Sequence, residues 1–479
     1  MQAVATNKRA ERASRLVQQG LQLILQGRYQ DALASEDEAL RLLPRDPNAH
    51  SYRGSALLQL GRLTEALASY DQVLKLAPQA AVAHYNRANA LQRMRRYDEA
   101  LLSLKQSLKL NPRYADALSL TGSVLYAAGN TELAIQCFDA ALQINPNAAD
   151  AHYYKGLALL SAGEFTTAWE HYEWRLKWDM TVRVGQSRSI GRVAADWDGK
   201  PQNKPIIVIP EQGLGDQIFY GGMLADLQAI VPGSTVCLEP RLVPLFKRSF
   251  ENLNFLSPYD INTEQCLNEA TFSAQTHIGS LGRFFRAGDS GLSNINTPYL
   301  KADPIKVNQL RGCISRPNRL VCGISWQSKN RDIGSYKSLA LETLLPLLSM
   351  DNIDFVDLQY GDTLEERGRL NQIYGIDIQH LDNIDNSNDI DSLSALISAC
   401  DIVVTISNVT AHISAAIGKP TLVMLSNLST QLWYWNNHRA DSIWYPSSIL
   451  FHQEKTGTWT RVISEVQAAL SEFKRAYQQ

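Results

Sequence analysis

A 34-residue period runs through the N-terminal part of this 479-residue chain and constrains its fold more than any other feature. Ala32, Ala66, Ala100, Ala134 and Ala168 fall in register, as do Pro44, Pro78, Pro112 and Pro146. Small residues recur at Gly20, Gly54, Ala88, Gly122 and Gly156, followed by Leu23, Leu57, Leu91, Leu125 and Leu159. The next aromatic or aliphatic position holds Tyr29, Leu63, Tyr97 and Phe165, with Thr131 as the exception. A small residue in each of two consecutive helices lets them approach closely in antiparallel fashion, and large apolar residues fill the space around them. The proline cannot continue a helix interior, so it forces the turn into the next unit.

These residues resemble the tetratricopeptide repeat, in five units from about Ala13 to Asp179. The resemblance implies a superhelix whose concave groove takes an extended peptide or another protein. The bland alternative is that the repeats only cap or dimerise the rest of the chain. In the O-GlcNAc transferases the groove carries an asparagine ladder, whereas the matching places here read Gln18, Tyr52, Asn86, Leu120 and Tyr154.

With 45% hydrophobic and 20% charged residues the composition is that of an ordinary globular chain, long enough for about three domains. No apolar run approaches the roughly 18 residues of a membrane span. The polar start MQAVATNKRAERASRLVQQG lacks the apolar core of a secretory signal, and a cytoplasmic location is expected. A net charge of −2 gives no electrostatic footprint for nucleic acid. Cys137, Cys237, Cys266, Cys313, Cys322 and Cys400 form no CxxC pair, which argues for reduced thiols rather than a zinc ribbon or disulfide framework.

Beyond Trp178 the register stops, and short β-branched runs alternate with amphipathic helices, the pattern of parallel sheets with crossover helices. Strands are expected at 205–209, 235–238, 274–278, 320–325, 354–358, 402–406 and 421–425, with a polar linker at 308–318. The fold class is therefore α + α/β, a repeat solenoid at 1–182 followed by two Rossmann-like halves at 183–312 and 313–479. The loop Glu211-Gln212-Gly213-Leu214-Gly215-Asp216 follows a strand and opens a helix. Its glycines permit a tight turn and close approach by a ligand, and the helix turns free N–H groups toward it. An ordinary helix-capping aspartate would read the same way.

Asp196-Trp197-Asp198-Gly199 followed by EQGLGDQIFYGGML resembles the entry to the transferase domain of bacterial tetratricopeptide-glycosyltransferase fusions, and the Gly-Asp pair is similar to that of lipopolysaccharide heptosyltransferases. The resemblance implies a GT-B architecture in which the first half binds the acceptor and the second the nucleotide-sugar donor. It carries the general-base role onto Asp216, a carboxylate that takes the proton of an attacking hydroxyl. The segment from Ser407 through Asn408, Val409, Thr410 and His412 to Pro420 is similar to the donor-phosphate loop of the same relatives, many of which have an aspartate in place of Ser407. There His412 either meets the donor or packs against the sheet. The run from Gly323 through Trp326 to Arg331, then Tyr336-Lys337-Ser338, resembles the first strand-loop of the donor half. A basic residue there neutralises the leaving diphosphate without a metal, with Lys337 the first choice and Lys329 or Arg331 in reserve. Gln359 and Tyr360 sit in a turn that either touches the nucleoside or merely joins strand to helix, and His277 ends a strand of the first half, where it could face the acceptor. Trp433, Trp435 and Trp444 read as core or cleft wall.

Asp196-x-Asp198 and Asp389-x-Asp391 have the DxD form of metal-bound nucleotide sugars in another transferase fold, but their places suit structural roles. No HExxH, GxSxG or GxxxxGK[ST] occurs. The reading is a metal-independent glycosyltransferase with no cofactor, using a nucleotide diphosphate sugar to modify a hydroxyl of a protein or peptide acceptor recruited by the repeats. Lipopolysaccharide or other glycan transfer is the alternative within enzymes, and a scaffold with a degenerate transferase half is the alternative outside them. Self-association through the repeats is left open.

Overall fold

The computed structural model describes residues 2–178, 192–258, 271–292, 295, 298–330, 334–427, 432–435, 439–454 and 457–478. Arg331 and Cys266 lie outside the described residues. Its contacts divide the chain into two compact units, Met1–Ala158 and Leu159–Gln479.

In the first unit, helices α1 (Gln2–Leu25), α2 (Tyr29–Leu42), α3 (Pro47–Gln59), α4 (Leu63–Leu76), α5 (Ala81–Arg93), α6 (Tyr97–Leu110), α7 (Ala115–Ala127), α8 (Thr131–Ile144) and the start of α9 (Ala149–Ala162) stack in chain order. The small residues do what their register predicts. A Cβ on Gly54 would stand 2.6 Å from the Tyr70 ring, and one on Gly122 would stand 2.6 Å from Phe138. The second helix of each unit ends just before the repeat proline, whose carbonyl lies within hydrogen-bond distance of the imidazole Nε2 six residues on: His50 to Pro44, His84 to Pro78 and His152 to Pro146, at 2.9–3.0 Å. Arg53 pairs with Asp37 and Arg87 with Asp71, both at 2.7 Å, so polar side chains also repeat between neighbouring helices. The first unit breaks this pattern at one core position. Glu36 stands where later repeats have Tyr70, Leu104 and Phe138, and it is fully buried against Gly20.

The second unit begins with the end of α9, then α10 (Phe165–Tyr172) and a 3-10 turn, Glu173–Leu176. Two wholly parallel sheets come next. The first has strands β1 (Ile206–Ile209), β2 (Thr235–Cys237), β3 (Asn254–Leu256) and β4 (Ala274–His277) in the order β3-β2-β1-β4. The second has β5 (Leu320–Ser325), β6 (Ile353–Asp357), β7 (Ile378–Gln379), β8 (Ile402–Ile406), β9 (Thr421–Leu425) and β10 (Ser448–His452) in the order β10-β9-β8-β5-β6-β7. Every residue of β1, β5, β6, β8 and β9 is buried, as a sheet covered on both faces requires. In each sheet the direction of strand addition reverses once, between β1 and β4 and between β5 and β8. Such a switch point opens a crevice beyond the carboxyl ends of the strands, where ligands of parallel sheets bind.

The expected strands are present with bounds shifted by a residue or so, and the structure adds β3, β7 and β10 to them. All three are edge strands without the continuous burial of the central ones; β3 reads exposed, buried, exposed, and β10 leaves Ile449 exposed. The polar stretch at 308–318, expected to be a linker, is mostly helix: Pro304–Ile314 is capped by Asp303, whose carboxylate accepts from the amides of Ile305 and Lys306. The capping aspartate with proline at the first turn is a helix-start signal that outweighs the polarity of the helix itself.

Candidate functional site

The two switch points lie within one compact unit, and the helices that follow them meet. Helix Leu214–Gly221, which comes after β1, packs against helix Val409–Ala416, which comes after β8. The approach is close because Gly215 has no side chain: a Cβ there would stand 2.9 Å from His412 Cδ2. The loop glycine thus serves the packing of two helices.

Asp216, in the first turn of its helix, is half-buried and doubly held. Its Oδ2 accepts from the Gly213 amide at 3.2 Å, and its Oδ1 accepts from the Tyr434 hydroxyl at 3.0 Å. Burial raises its pKa above the usual carboxylate range; these two hydrogen bonds and the charge of Lys337 oppose that rise. Lys337 is itself buried, 5% exposed, and burial lowers its pKa to about 8, with Asp216 pulling the other way. Among the described residues no hydrogen bond or ion pair engages the Lys337 ammonium. His412 is buried with Nδ1 3.0 Å from the Tyr445 hydroxyl, and desolvation, aided by Lys337, lowers its pKa to about 3. It is neutral at any physiological pH.

Asn408 caps helix Val409–Ala416 and ties the two strand ends of the second switch point together. Its Oδ1 accepts from Ala411 N and the Thr405 hydroxyl, and its Nδ2 donates to Ser325 Oγ at 2.8 Å and to the Gln327 carbonyl at 3.2 Å. Val409 begins the helix, where the first amides have no partner within it. Ser407 and Thr410 are buried, and among the described residues their hydroxyls have no hydrogen-bond partner; the same holds for the indole N–H of Trp435, whose ring lies 5.0 Å from that of His412. Buried polar groups are normally satisfied, and Ser407 and Thr410 leave theirs unpartnered at the N-terminal end of this helix.

The other expected residues make the following contacts. Gln359 is buried, and its Oε1 accepts from Ser325 Oγ, Trp326 N and Gln327 N at 2.8–3.0 Å, so it fixes the loop after β5. Trp326 is fully buried in the second sheet's core and donates its indole N–H to Glu366. Tyr360 accepts from the exposed Lys329 amide, and the Lys329 ammonium lies 5.8 Å from the Tyr360 ring centroid. His277 ends β4 beside Ile209 of β1, with burial lowering its pKa. Trp433 and Trp444 pack edge-on against Phe219, which Tyr434 stacks on at 4.3 Å. Asp389 caps helix Ile390–Ala399, and Asp198 accepts from the Lys200 amide.

Sequence reasoning missed two participants. Tyr434 reaches Asp216 from 218 positions away, and nothing local marks it. Arg175, only 5% exposed, forms a buried pair with Glu211 at 2.7 Å; its signal was an arginine and a glutamate each placed next to apolar runs, which no period picks out.

The tetratricopeptide repeat family matches residues 17–81, 85–149 and 134–173. The N-terminal segment is a tetratricopeptide array. Beyond it the comparison is sparser. The protein FlbA of Caulobacter vibrioides is 28% identical over 322 residues, 64% of this chain and 52% of that protein. This chain therefore spans about half the length of that relative, and a match over 64% of it is longer than the repeat segment and runs into the α/β unit. Among solved structures, MamA residues 41-end from Desulfovibrio magneticus RS-1 is 26% identical, covering 35% of this chain and 97% of that one, with a TM-score of 0.31. Pseudomonas aeruginosa pilF is 21% identical, covering 36% of this chain and 78% of that one, with a TM-score of 0.33. No helix among the described residues is long and apolar enough to cross a membrane.

Proposed function

We propose that the α/β unit is a nucleotide-sugar-dependent glycosyltransferase of GT-B type, and that the tetratricopeptide array recruits a protein whose hydroxyl is the acceptor. The observation that carries the proposal is the packing of the two switch-point helices beside one carboxylate, Asp216, whose charge is felt by one buried ammonium, Lys337. In the proposed reaction the acceptor oxygen attacks the anomeric carbon and its proton passes to Asp216, whose raised pKa suits it to accept one. The bond from the anomeric carbon to the phosphate oxygen breaks, and the charge left on that oxygen is met by Lys337 and the amides at Val409 and Thr410. Ser407 and Thr410 would give their hydroxyls to the phosphate, and no metal is needed. His412, neutral and bonded to Tyr445, serves as a wall that sets the distance between the two helices; His277 stands on the acceptor side.

A repeat scaffold with an inactive transferase half is the second reading, favoured by Ser407 at a place where the resemblance to donor-phosphate loops implies an aspartate. Titration with uridine, adenosine, guanosine and cytidine diphosphates separates the two. Binding of one of them, lost in Lys337→Met, supports the transferase; binding of none favours the scaffold.

A further inference from the structure

We infer that Tyr172 and Arg175, at the end of the repeat segment, are positioning residues that hold the loop carrying Asp216. The inference rests on the transferase reading for what Asp216 does, and on geometry alone for how it is held.

The repeat register ends in α10, yet α10 belongs to the α/β unit by its contacts. Arg175, in the turn after α10, is a node among three separate segments. Its Nη2 donates to Glu211 Oε1 at 2.7 Å and to Ser280 Oγ at 2.8 Å, and its Nη1 donates to Glu173 Oε1 at 2.7 Å. Glu211 Oε1 also accepts from the Gly279 amide at 2.7 Å. One buried guanidinium and one buried carboxylate thus clamp the residues just beyond β1 to those just beyond β4, the two strands that flank the first switch point. A buried ion pair is an expensive way to gain stability, and a fixed geometry is what it supplies in return.

The next residue, Gln212, has φ of +61°, a left-handed conformation that L-residues avoid outside glycine and asparagine. Its side chain donates to the Tyr172 hydroxyl at 2.6 Å, and that hydroxyl lies 2.9 Å from the Tyr220 hydroxyl. Gly213 comes next, and its amide is the one that holds Asp216 Oδ2. The chain of contacts therefore runs from Tyr172 through the strained Gln212 and Gly213 to Asp216. A residue kept in a strained conformation by a partner outside its own loop is the arrangement expected where a reactive group must be preorganised.

The test uses the full chain. Tyr172→Phe removes the side-chain anchor of Gln212, leaving the long 3.5 Å contact from Gln217 to its carbonyl, while keeping the ring that packs in the core. Transfer from the nucleotide sugar that the wild-type protein uses should fall by between about 10- and 100-fold in kcat. Affinity for the nucleoside diphosphate that binds wild type should stay within about twofold, because the donor loops are untouched. The double variant Tyr172→Phe with Gln212→Gly should recover most of kcat, since glycine adopts the positive φ without an anchor. Arg175→Lys, which keeps charge but loses the fork, should lower kcat in the same direction. A crystal structure of Tyr172→Phe reads the placement itself and should show Asp216 released from the Gly213 amide. Unchanged kcat in Tyr172→Phe, no recovery in the double variant, or Asp216 unmoved in the crystal would each overturn the inference. If the wild-type protein transfers no sugar, the transferase reading fails, while the crystal structure still decides whether Tyr172 places Asp216.

Discussion

Replacing Glu36 should make the first repeat more stable at neutral pH and remove the share of its pH dependence that this carboxyl carries. Both carboxylate oxygens of this fully buried residue lack a hydrogen-bond partner among the described residues, and burial, aided by Asp46 and Asp37, raises its pKa from 4.5 to about 8. The sign is set by proton binding. Between these two values the folded protein holds a proton at Glu36 that the unfolded chain releases, so the contribution of this residue to stability is most favourable below pH 4.5 and falls as pH rises toward 8. At about 1.4 kcal/mol per pH unit the loss at pH 7 is about 3 kcal/mol, levelling off above pH 8. Glu36 stands on α2 and fills the notch at Gly20 of α1, so the loss falls on these two helices. Glu36→Phe reproduces Phe138 opposite Gly122, with Gly20 providing the same notch, and Glu36→Gln removes the charge alone. Thermal unfolding read by circular dichroism at pH 5, 7 and 9 should show Glu36→Phe melting roughly 5–10 °C above wild type at pH 7, with the gap widening at pH 9. Hydrogen exchange should localise the difference to α1 and α2. Equal pH slopes in wild type and Glu36→Phe would refute the reasoning, because the carboxyl would then not be carrying a shifted proton.

Further predictions concern the α/β unit. Asp216→Asn should abolish transfer while leaving nucleoside diphosphate affinity within about threefold, and wild-type kcat/KM should fall on the acidic side at a pH above the ordinary aspartate range, since burial raises this pKa; an acidic limb below about pH 4 would count against Asp216 as base. Lys337→Met should weaken nucleoside diphosphate binding at least about tenfold by calorimetry, and wild-type binding should weaken above about pH 8 as the ammonium is lost; a pH-independent affinity would remove Lys337 from the phosphate site. Gly215→Ala should lower stability to urea by about 1–3 kcal/mol, because its Cβ would press on His412; a neutral effect would show that the two helices can part freely.

The repeat array was legible in the sequence because its determinants are local and periodic: notch, filler and proline recur at 34-residue intervals, and neighbouring units meet through the same positions each time. The central strands β1, β5, β6, β8 and β9 were legible as short runs rich in β-branched and apolar residues, whereas the edge strands β3, β7 and β10 were not read from the sequence. In the sequence, glycines 213 and 215 read as room for a ligand; the structure gives Gly215 to His412 and makes Gly213 the donor that holds Asp216. Gln359 and Trp326 stand in motifs but spend their polar groups inside the protein, a distinction that depends on partners more than 30 residues away. The sequence alone determined the repeat helices and seven of the ten strands, because helix and strand periods are set by side chains a few positions apart. Only the tertiary structure decided what surrounds Asp216, because Tyr434, Lys337 and the clamp of Arg175 on Glu211 come together through sheet order and helix packing, for which no spacing along the chain is a measure.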